Sequence, residues 1–339
     1  MAQKRILILS VAGIGNTVLQ SPLISAILAS SDYVTDVLFG DEGMKAVFEF
    51  ETRIHLAYVM PTSTLRKLEL ILQLRRNRYD ISVACFPSNR FEYNLFPFLL
   101  DVKQRIVHSY QSSRVRSLSF LSNVTVPVDE SLHDVEQNLN LLEALGMNPA
   151  TAETKLSFSI SSANEAFASD FVEKLDARPI IGIHPAGTRF LEEKNWPAEN
   201  FASLIVRLRT RYNVILFGKE EDTRPFSSIA GISLCNKNLN DSAALIKRCA
   251  LFVSVDTGLM HVASVFGVKQ LVLWGPTRYS RTRPWSENAV ILGRTDLTIL
   301  RYPFSDTRAR FHHPDPQSFM REITVGRVFD TILAIIHSN

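Results

Sequence analysis

The sequence predicts an α/β protein built of two halves, each a parallel sheet covered by helices. Three observations predict it. Short apolar runs alternate with longer amphipathic ones, the pattern of strands buried on both faces and of the helices that cross between them. The alternation lapses between residues 148 and 178 and then starts afresh. The 339 residues suffice for two cores of ordinary size.

In the first half, Arg5–Ser10 (RILILS) reads as a buried first strand and Asp36–Phe39 as a second. Residues 64–78 read as a helix, Ile81–Phe86 as a strand and Arg105–His108 as a further short strand. Asp134–Leu145 is an amphipathic helix with Val135, Leu139, Leu142 and Leu145 on one stripe, and Gly146 is its stop. The connection holds one helix, Asn164–Leu175. Pro179–His184, Asn213–Phe217, Leu251–Val255 and Gln270–Trp274 then read as strands. Helices are expected at Ala198–Arg211, Asp222–Ile229, Ser242–Cys249 and Leu259–Phe266. The last helix, Val325–His337, has Val328, Ile332, Ile335 and Ile336 for docking, and packing back on the N-terminal domain is its expected use. With the join near residue 165, the reading is an N-terminal domain over 1–165 and a C-terminal domain over 166–339, two facing Rossmann-like domains with a cleft between them. Ligands of such sheets bind outside the carboxyl ends of the strands, so chemistry is sought in the post-strand loops.

Composition removes several classes. Apolar residues are 46% and charged residues 21%, the profile of a folded soluble chain. A formal charge of +3 argues against a dedicated nucleic-acid binder. Cys85, Cys235 and Cys249 form no CxxC pair, so neither a zinc site nor a disulfide framework is indicated. The apolar run of MAQKRILILSVAGIGN is broken by Gly13, Gly15 and Asn16, too early for a signal peptide, and nothing approaches the roughly 18 apolar residues that span a bilayer. A cytoplasmic location is expected, with peripheral contact at the cytoplasmic face of the inner membrane left open by Arg66, Lys67, Arg75, Arg76 and Arg78 on or beside one helix. These cations could meet phosphates or acidic sugars of a lipid-linked acceptor or an anionic membrane face; a solvated helix face is the plainer reading. The aromatic segment RFEYNLFPFLL (Arg90–Leu100) reads as helix core rather than a membrane patch.

Three loops of the second half suit an anionic, ribose-bearing ligand. In LFVSVDTGLMHVASVFG, Asp256 ends a strand, Thr257 and Gly258 turn, and a helix opens with free N–H groups and a positive dipole end, a ready phosphate site. An N-capped helix with no ligand is the competing reading. In GIHPAGTRFLEEKNWP, Thr188, Arg189 and Lys194 follow a strand and offer hydroxyl, guanidinium and ammonium to an anion, unless Arg189 and Lys194 merely pair with Glu192 and Glu193. In LFGKEEDTRPF, Glu220, Glu221 and Asp222 follow a strand, where a carboxylate can accept ribose hydroxyls or simply begin a helix. In the first half, Gly13-Ile14-Gly15-Asn16-Thr17 follows the first strand, but Val18 stands where a dinucleotide fingerprint needs its third glycine.

Together the patterns HPAGTR…KNWP, FGKEED and VDTGLMHVASVFGV…LWGPT resemble glycosyltransferase family 9, the ADP-heptose:lipopolysaccharide heptosyltransferases. Weaker matches lie at AGIGNTVLQSPLISAIL, HDVEQNLNLLEALGM and FMREITVGRVFDTIL, so the resemblance spans nearly the whole chain. It implies a GT-B fold, with an N-terminal acceptor-binding and a C-terminal nucleotide-sugar-binding domain. It also implies an inverting transfer of heptose or a related sugar from an ADP-linked donor to a lipopolysaccharide-core or other cell-surface glycan, with no cofactor. On matching positions, Lys194 would contact the donor diphosphate with Thr188 and Arg189 beside it. Asp256, Thr257 and Gly258 would hold phosphate and sugar, Asp222 or Glu221 the ribose, and His261 would support the turn. Gly13, Gly15, Asn16 and Thr17 would face the acceptor. No D-x-D motif is present, in keeping with a metal-independent reaction.

Two positions depart from the family. Its proposed general base is an aspartate where this chain has Asn16, and an amide cannot take a proton at neutral pH. Another carboxylate can act, with Glu92 and Asp41 the candidates; leaving-group stabilisation can dominate; or the protein binds donor and catalyses poorly, in a regulatory or scaffold role. A nicotinamide-dependent oxidoreductase on Gly13 and Gly15 is a more distant reading. The segment RYPFSDTRARFHHPDPQSF lacks the cysteines of many relatives, and His312, His313 and Asp315 in it read as surface loop rather than metal site.

Overall fold

A computed structural model describes residues 3–110, 117–187, 192–295, 315 and 317–338. The chain divides after Ser159 into two compact units. The first holds six parallel strands: β1 (Lys4–Ser10), β2 (Tyr33–Phe39), β3 (Leu56–Val59), β4 (Ile81–Ala84), β5 (Gln104–Ser109) and β6 (Val124–Pro127), in the order β3-β2-β1-β4-β5-β6. The second holds β7 (Ile180–His184), β8 (Asn213–Phe217), β9 (Ser233–Cys235), β10 (Leu251–Val255), β11 (Gln270–Trp274) and β12 (Ala289–Gly293), in the order β12-β11-β10-β7-β8-β9, again all parallel. Counted within each unit, the two orders are the same, 3-2-1-4-5-6. Each sheet therefore reverses its winding once, between β1 and β4 and between β7 and β10, and these are the points where such sheets bind ligands.

The central strands are the ones whose residues are apolar on both faces. Ile6, Leu7 and Ile8 of β1 and every residue of β10 are buried, because helices cover the sheet on either side. In the helix expected over Asp134–Leu145, the regular α turn gives way: Asp134–Leu139 is α-helical behind a His133–Glu136 capping box, and Asn140–Leu145 tightens to 3₁₀ before Gly146 at φ 76°. The three cysteines are buried and unpaired, and burial pushes each thiol upward in pKa.

The last helix, Val325–His337, sets Val328, Ile332 and Ile335 into the core of the second unit with Phe201, Leu204 and Leu208 of the helix Ala198–Leu208. The i, i+4, i+7 spacing supplied a face without saying which neighbour would cover it. No helix among the described residues is long and apolar enough to cross a membrane.

Candidate functional site

The winding reversal of the second sheet sets the site. β7 ends at His184 and β10 runs into Asp256 and Thr257, with His184 opposite Ser254 in the ladder. Between β7 and the next helix the chain makes a loop that ends in the turn Glu192–Lys194. Two side chains beside Lys194 anchor it. Asn195 Oδ1 accepts the Gly187 N–H at 2.7 Å, and a Cβ on Gly187 would run into that same oxygen. Trp196, 2% exposed, donates its indole N–H to the Ile323 carbonyl at 2.8 Å and meets Phe201 edge-on at 4.9 Å. The anchored loop points Lys194 Nζ at Asp256 Oδ2, 2.7 Å away, with 12% and 8% of the two side chains exposed. Thr188 and Arg189 lie outside the described residues.

The helix Gly258–Val265 begins at this ion pair. Thr257 occupies its N-cap position, yet neither Thr257 nor Asp256 caps it with a side chain. The Thr257 hydroxyl instead shares a hydrogen bond with His184 Nδ1 at 3.1 Å, and the Asp256 carboxylate is taken by Lys194. The reading of DTG as an ordinary side-chain cap therefore fails. The first N–H groups of the helix keep no side-chain acceptor, and they lie beside an ammonium, an arrangement able to receive an anion.

Two imidazoles stand behind it. Burial pushes His184 down to about 4, against the opposing charge of Asp222. Burial also pushes His261 down to about 4, with Asp256 opposing and Lys194 assisting. Both are neutral at pH 7. Among the described residues, His261 Nδ1 and Thr277 Oγ1 are buried without a hydrogen-bond partner. The turn Gly275–Thr277 closes on the Lys194 loop: a Cβ on Gly275 would stand 3.3 Å from the Glu193 carbonyl and 2.8 Å from Met320 Sδ.

The acidic loop joins from β8. Gly218, at φ 141°, makes the turn, and a Cβ there would stand 3.0 Å from Asp222 Cβ and 3.4 Å from His184 Cδ2. Asp222 accepts the Lys219 N–H at 2.9 Å, while Glu221 on the same turn is exposed. His184, which sequence reasoning passed over as a strand end, is thus the point where the loops after β7, β8 and β10 meet. Asn195 and Trp196 were passed over too; the N-W-P run after the charged stretch was their only signal.

In the first unit, Gly13 at φ 134° turns the chain from β1 into the helix Ile14–Leu19, whose first turn carries Gly15 and Asn16. Asn16 Nδ2 donates to the Ala12 carbonyl at 3.4 Å. Thr17, expected to face the acceptor, is fully buried. Its hydroxyl donates to the Gly13 carbonyl and shares a bond with Ser10, Ser10 donates to Gln20 at 2.5 Å, and Gln20 Nε2 donates to the Phe86 carbonyl at 2.8 Å. This network ties the end of β1 to the end of β4 from beneath. Of the alternative bases, Glu92 starts the helix Glu92–Leu99 and lies 3.8 Å from Arg90. Asp41 caps the helix Glu42–Ala46 by accepting the Met44 N–H at 2.9 Å. A Cβ on Gly43 would stand 3.2 Å from both Asp41 Oδ1 and Ile14 Cδ1, so Asp41 borders the glycine loop. His312 and His313 lie outside the described residues, and Asp315 pairs with Arg321.

Two parallel sheets of one topology, followed by a C-terminal helix, form a GT-B fold, here with a largely buried lysine at the reversal point of the second sheet. Residues 67–299, more than half of the chain, match the model of glycosyltransferase family 9 (heptosyltransferase), and the chain belongs to that family. It is 23% identical over 300 residues to lipooligosaccharide heptosyltransferase 2 of Campylobacter jejuni, across 85% of this chain and 86% of that one. Its fold superposes on the E. coli ADP-heptose LPS heptosyltransferase II with a TM-score of 0.75 at 22% identity, covering 98% of both chains. It superposes on an E. coli heptosyltransferase solved with ADP-2-deoxy-2-fluoro heptose with a TM-score of 0.68 at 18% identity, covering 97% of this chain and 99% of that one.

Proposed function

We propose that the protein is an inverting, metal-independent transferase that moves heptose or a related sugar from an ADP-linked donor to a lipopolysaccharide-core or other cell-surface glycan, in peripheral contact with a membrane. The observation that carries this is the Lys194–Asp256 pair at the uncapped start of the helix Gly258–Val265. A leaving diphosphate gains charge as the anomeric bond breaks. An ammonium held by a carboxylate, with N–H groups already aimed, stabilises that charge without reorganising. Lys194 occupies the place that a metal cation would take, with Thr188 and Arg189 added to it. Asp222 takes the ribose, Asp256, Thr257 and Gly258 the phosphates and sugar, and His261 offers its free Nδ1 to the same ligand. Heptose and ADP are the donor parts named for the relatives above.

On the acceptor side, Gly13, Gly15 and Asn16 hold the acceptor hydroxyl, and Asp41 takes its proton. Asp41 is preferred to Glu92 because it borders the glycine loop and its cap bond engages one oxygen only. The second reading, a donor-binding protein that transfers poorly, rests on Asn16. Incubation with ADP-heptose and a heptose-deficient lipopolysaccharide core decides between them. Inverted transfer in the presence of a chelator supports the proposal; tight donor binding with no transfer supports the second reading.

A further inference from the structure

The helix Thr64–Arg75 of the first unit is apolar on two opposite sides. Leu70 and Leu74 are buried in the unit's core, as the crossover helix between β3 and β4 requires. On the far side Leu65, Leu68 and Leu72 are 69%, 53% and 61% exposed, three of the four most exposed large apolar side chains among the described residues. Their i, i+3, i+7 spacing makes one continuous stripe, and at about 100° per residue Leu72 points away from Leu74. Packing within the fold does not account for them.

Five of the six charges between residues 63 and 78 are positive. Arg75 and Arg76 flank its end, Arg66 and Lys67 lie in the first turn, and Arg78 follows. Glu69 is the single carboxylate between residues 63 and 78. Among the described residues none of the five cations is held in an ion pair, so their charge faces outward.

From this geometry we infer that the helix Thr64–Arg75 is the membrane-docking element of the protein, lying on an anionic bilayer with Leu65, Leu68 and Leu72 below the headgroups and the arginines on lipid phosphates. Helices with leucines on one side and flanking cations bind in this plane, the arginine stems lying along apolar surface while the guanidinium stays at the headgroups. Charge decides the occupant. A second copy would set the same cationic stripe against itself, whereas an anionic leaflet complements it. The inference rests on the peripheral role proposed above and names its surface.

The test is co-sedimentation of the full chain with vesicles of phosphatidylcholine alone or with one third phosphatidylglycerol. Each cation near an anionic leaflet is worth about fivefold in partition, so anionic vesicles should bind at least ~10-fold more tightly, and less so in high salt. The variant Leu65→Ser/Leu68→Ser/Leu72→Ser should lose on the order of 10³-fold, since each leucine removed from water contributes about tenfold. Because that variant alters a packed helix, the exposed pair changed in Arg75→Glu/Arg76→Glu provides an independent loss of about 10-fold or more. Equal binding to both vesicle types, or binding unchanged by either variant, overturns the inference. So does a dimer in sedimentation velocity that the leucine variant splits. Transfer to a lipid-free core oligosaccharide, run in parallel, separates the claims: transfer without vesicle binding sinks the docking surface alone, and vesicle binding without transfer sinks the function alone.

Discussion

Replacing Lys194 by alanine removes an ammonium 2.7 Å from Asp256 Oδ2, in a pair whose side chains are 12% and 8% exposed. Two losses follow, and they can be separated. The first is catalytic: one charge-assisted donor to the developing diphosphate charge is worth about 2.7–4 kcal/mol, or roughly 10²–10³ in kcat. The second is structural. Asp256 is left nearly buried and unpaired, a change that costs about 3–5 kcal/mol in a fully buried pair. Because a little of the carboxylate reaches solvent, the lower end applies, and ~3 kcal/mol lowers Tm by about 6–12 °C for a domain of this size. Adding Asp256→Asn removes the orphaned charge, so the double variant should regain most of the Tm and none of the turnover. Calorimetry and single-turnover transfer on wild type, both single variants and the double variant give the full cycle. The reasoning is refuted by a Lys194→Ala enzyme that turns over within about threefold of wild type. It is equally refuted if turnover returns together with Tm in the double variant, which would make Lys194 a purely structural residue.

Two further outcomes are expected. His184 and His261 are held at about 4, below the 6.5 of an unfolded chain, so the unfolded state binds more protons between those values. Stability is therefore complete above pH ~6.5 and lost as pH falls toward 4, by about 1.4 kcal/mol per pH unit for each histidine. Urea unfolding from pH 7.5 to 4 measures it; His261→Asn should remove about half the slope, and a flat wild-type curve would contradict the burial argument. Asp41→Asn keeps a side chain able to cap the helix Glu42–Ala46, so the fold should hold while kcat falls ~10²-fold or more. Glu92→Gln should leave kcat within about twofold; the opposite ranking in initial-rate assays would transfer the base to Glu92.

What the sequence determined by itself was the interior. Every strand read from it, from RILILS of β1 to QLVLW of β11, is a central strand, because strands covered by helices on both faces carry the densest apolar runs. The four strands it did not show, β3, β6, β9 and β12, are the four sheet edges. Their alternating or half-exposed residues, as in Val124–Pro127, look like loop until a neighbour supplies the ladder. The site divided in the same way. Lys194, Asp222 and Asp256 were legible as charged residues following strands, since position after a strand is a local property. Whether Thr257 was a cap or a partner of His184, whether Thr17 faced a ligand or the core, and which unit received the last helix depended on residues far away in the chain. A side chain's chemistry is written in its residue type, but its direction is set by what packs against it, and that only the tertiary structure decides.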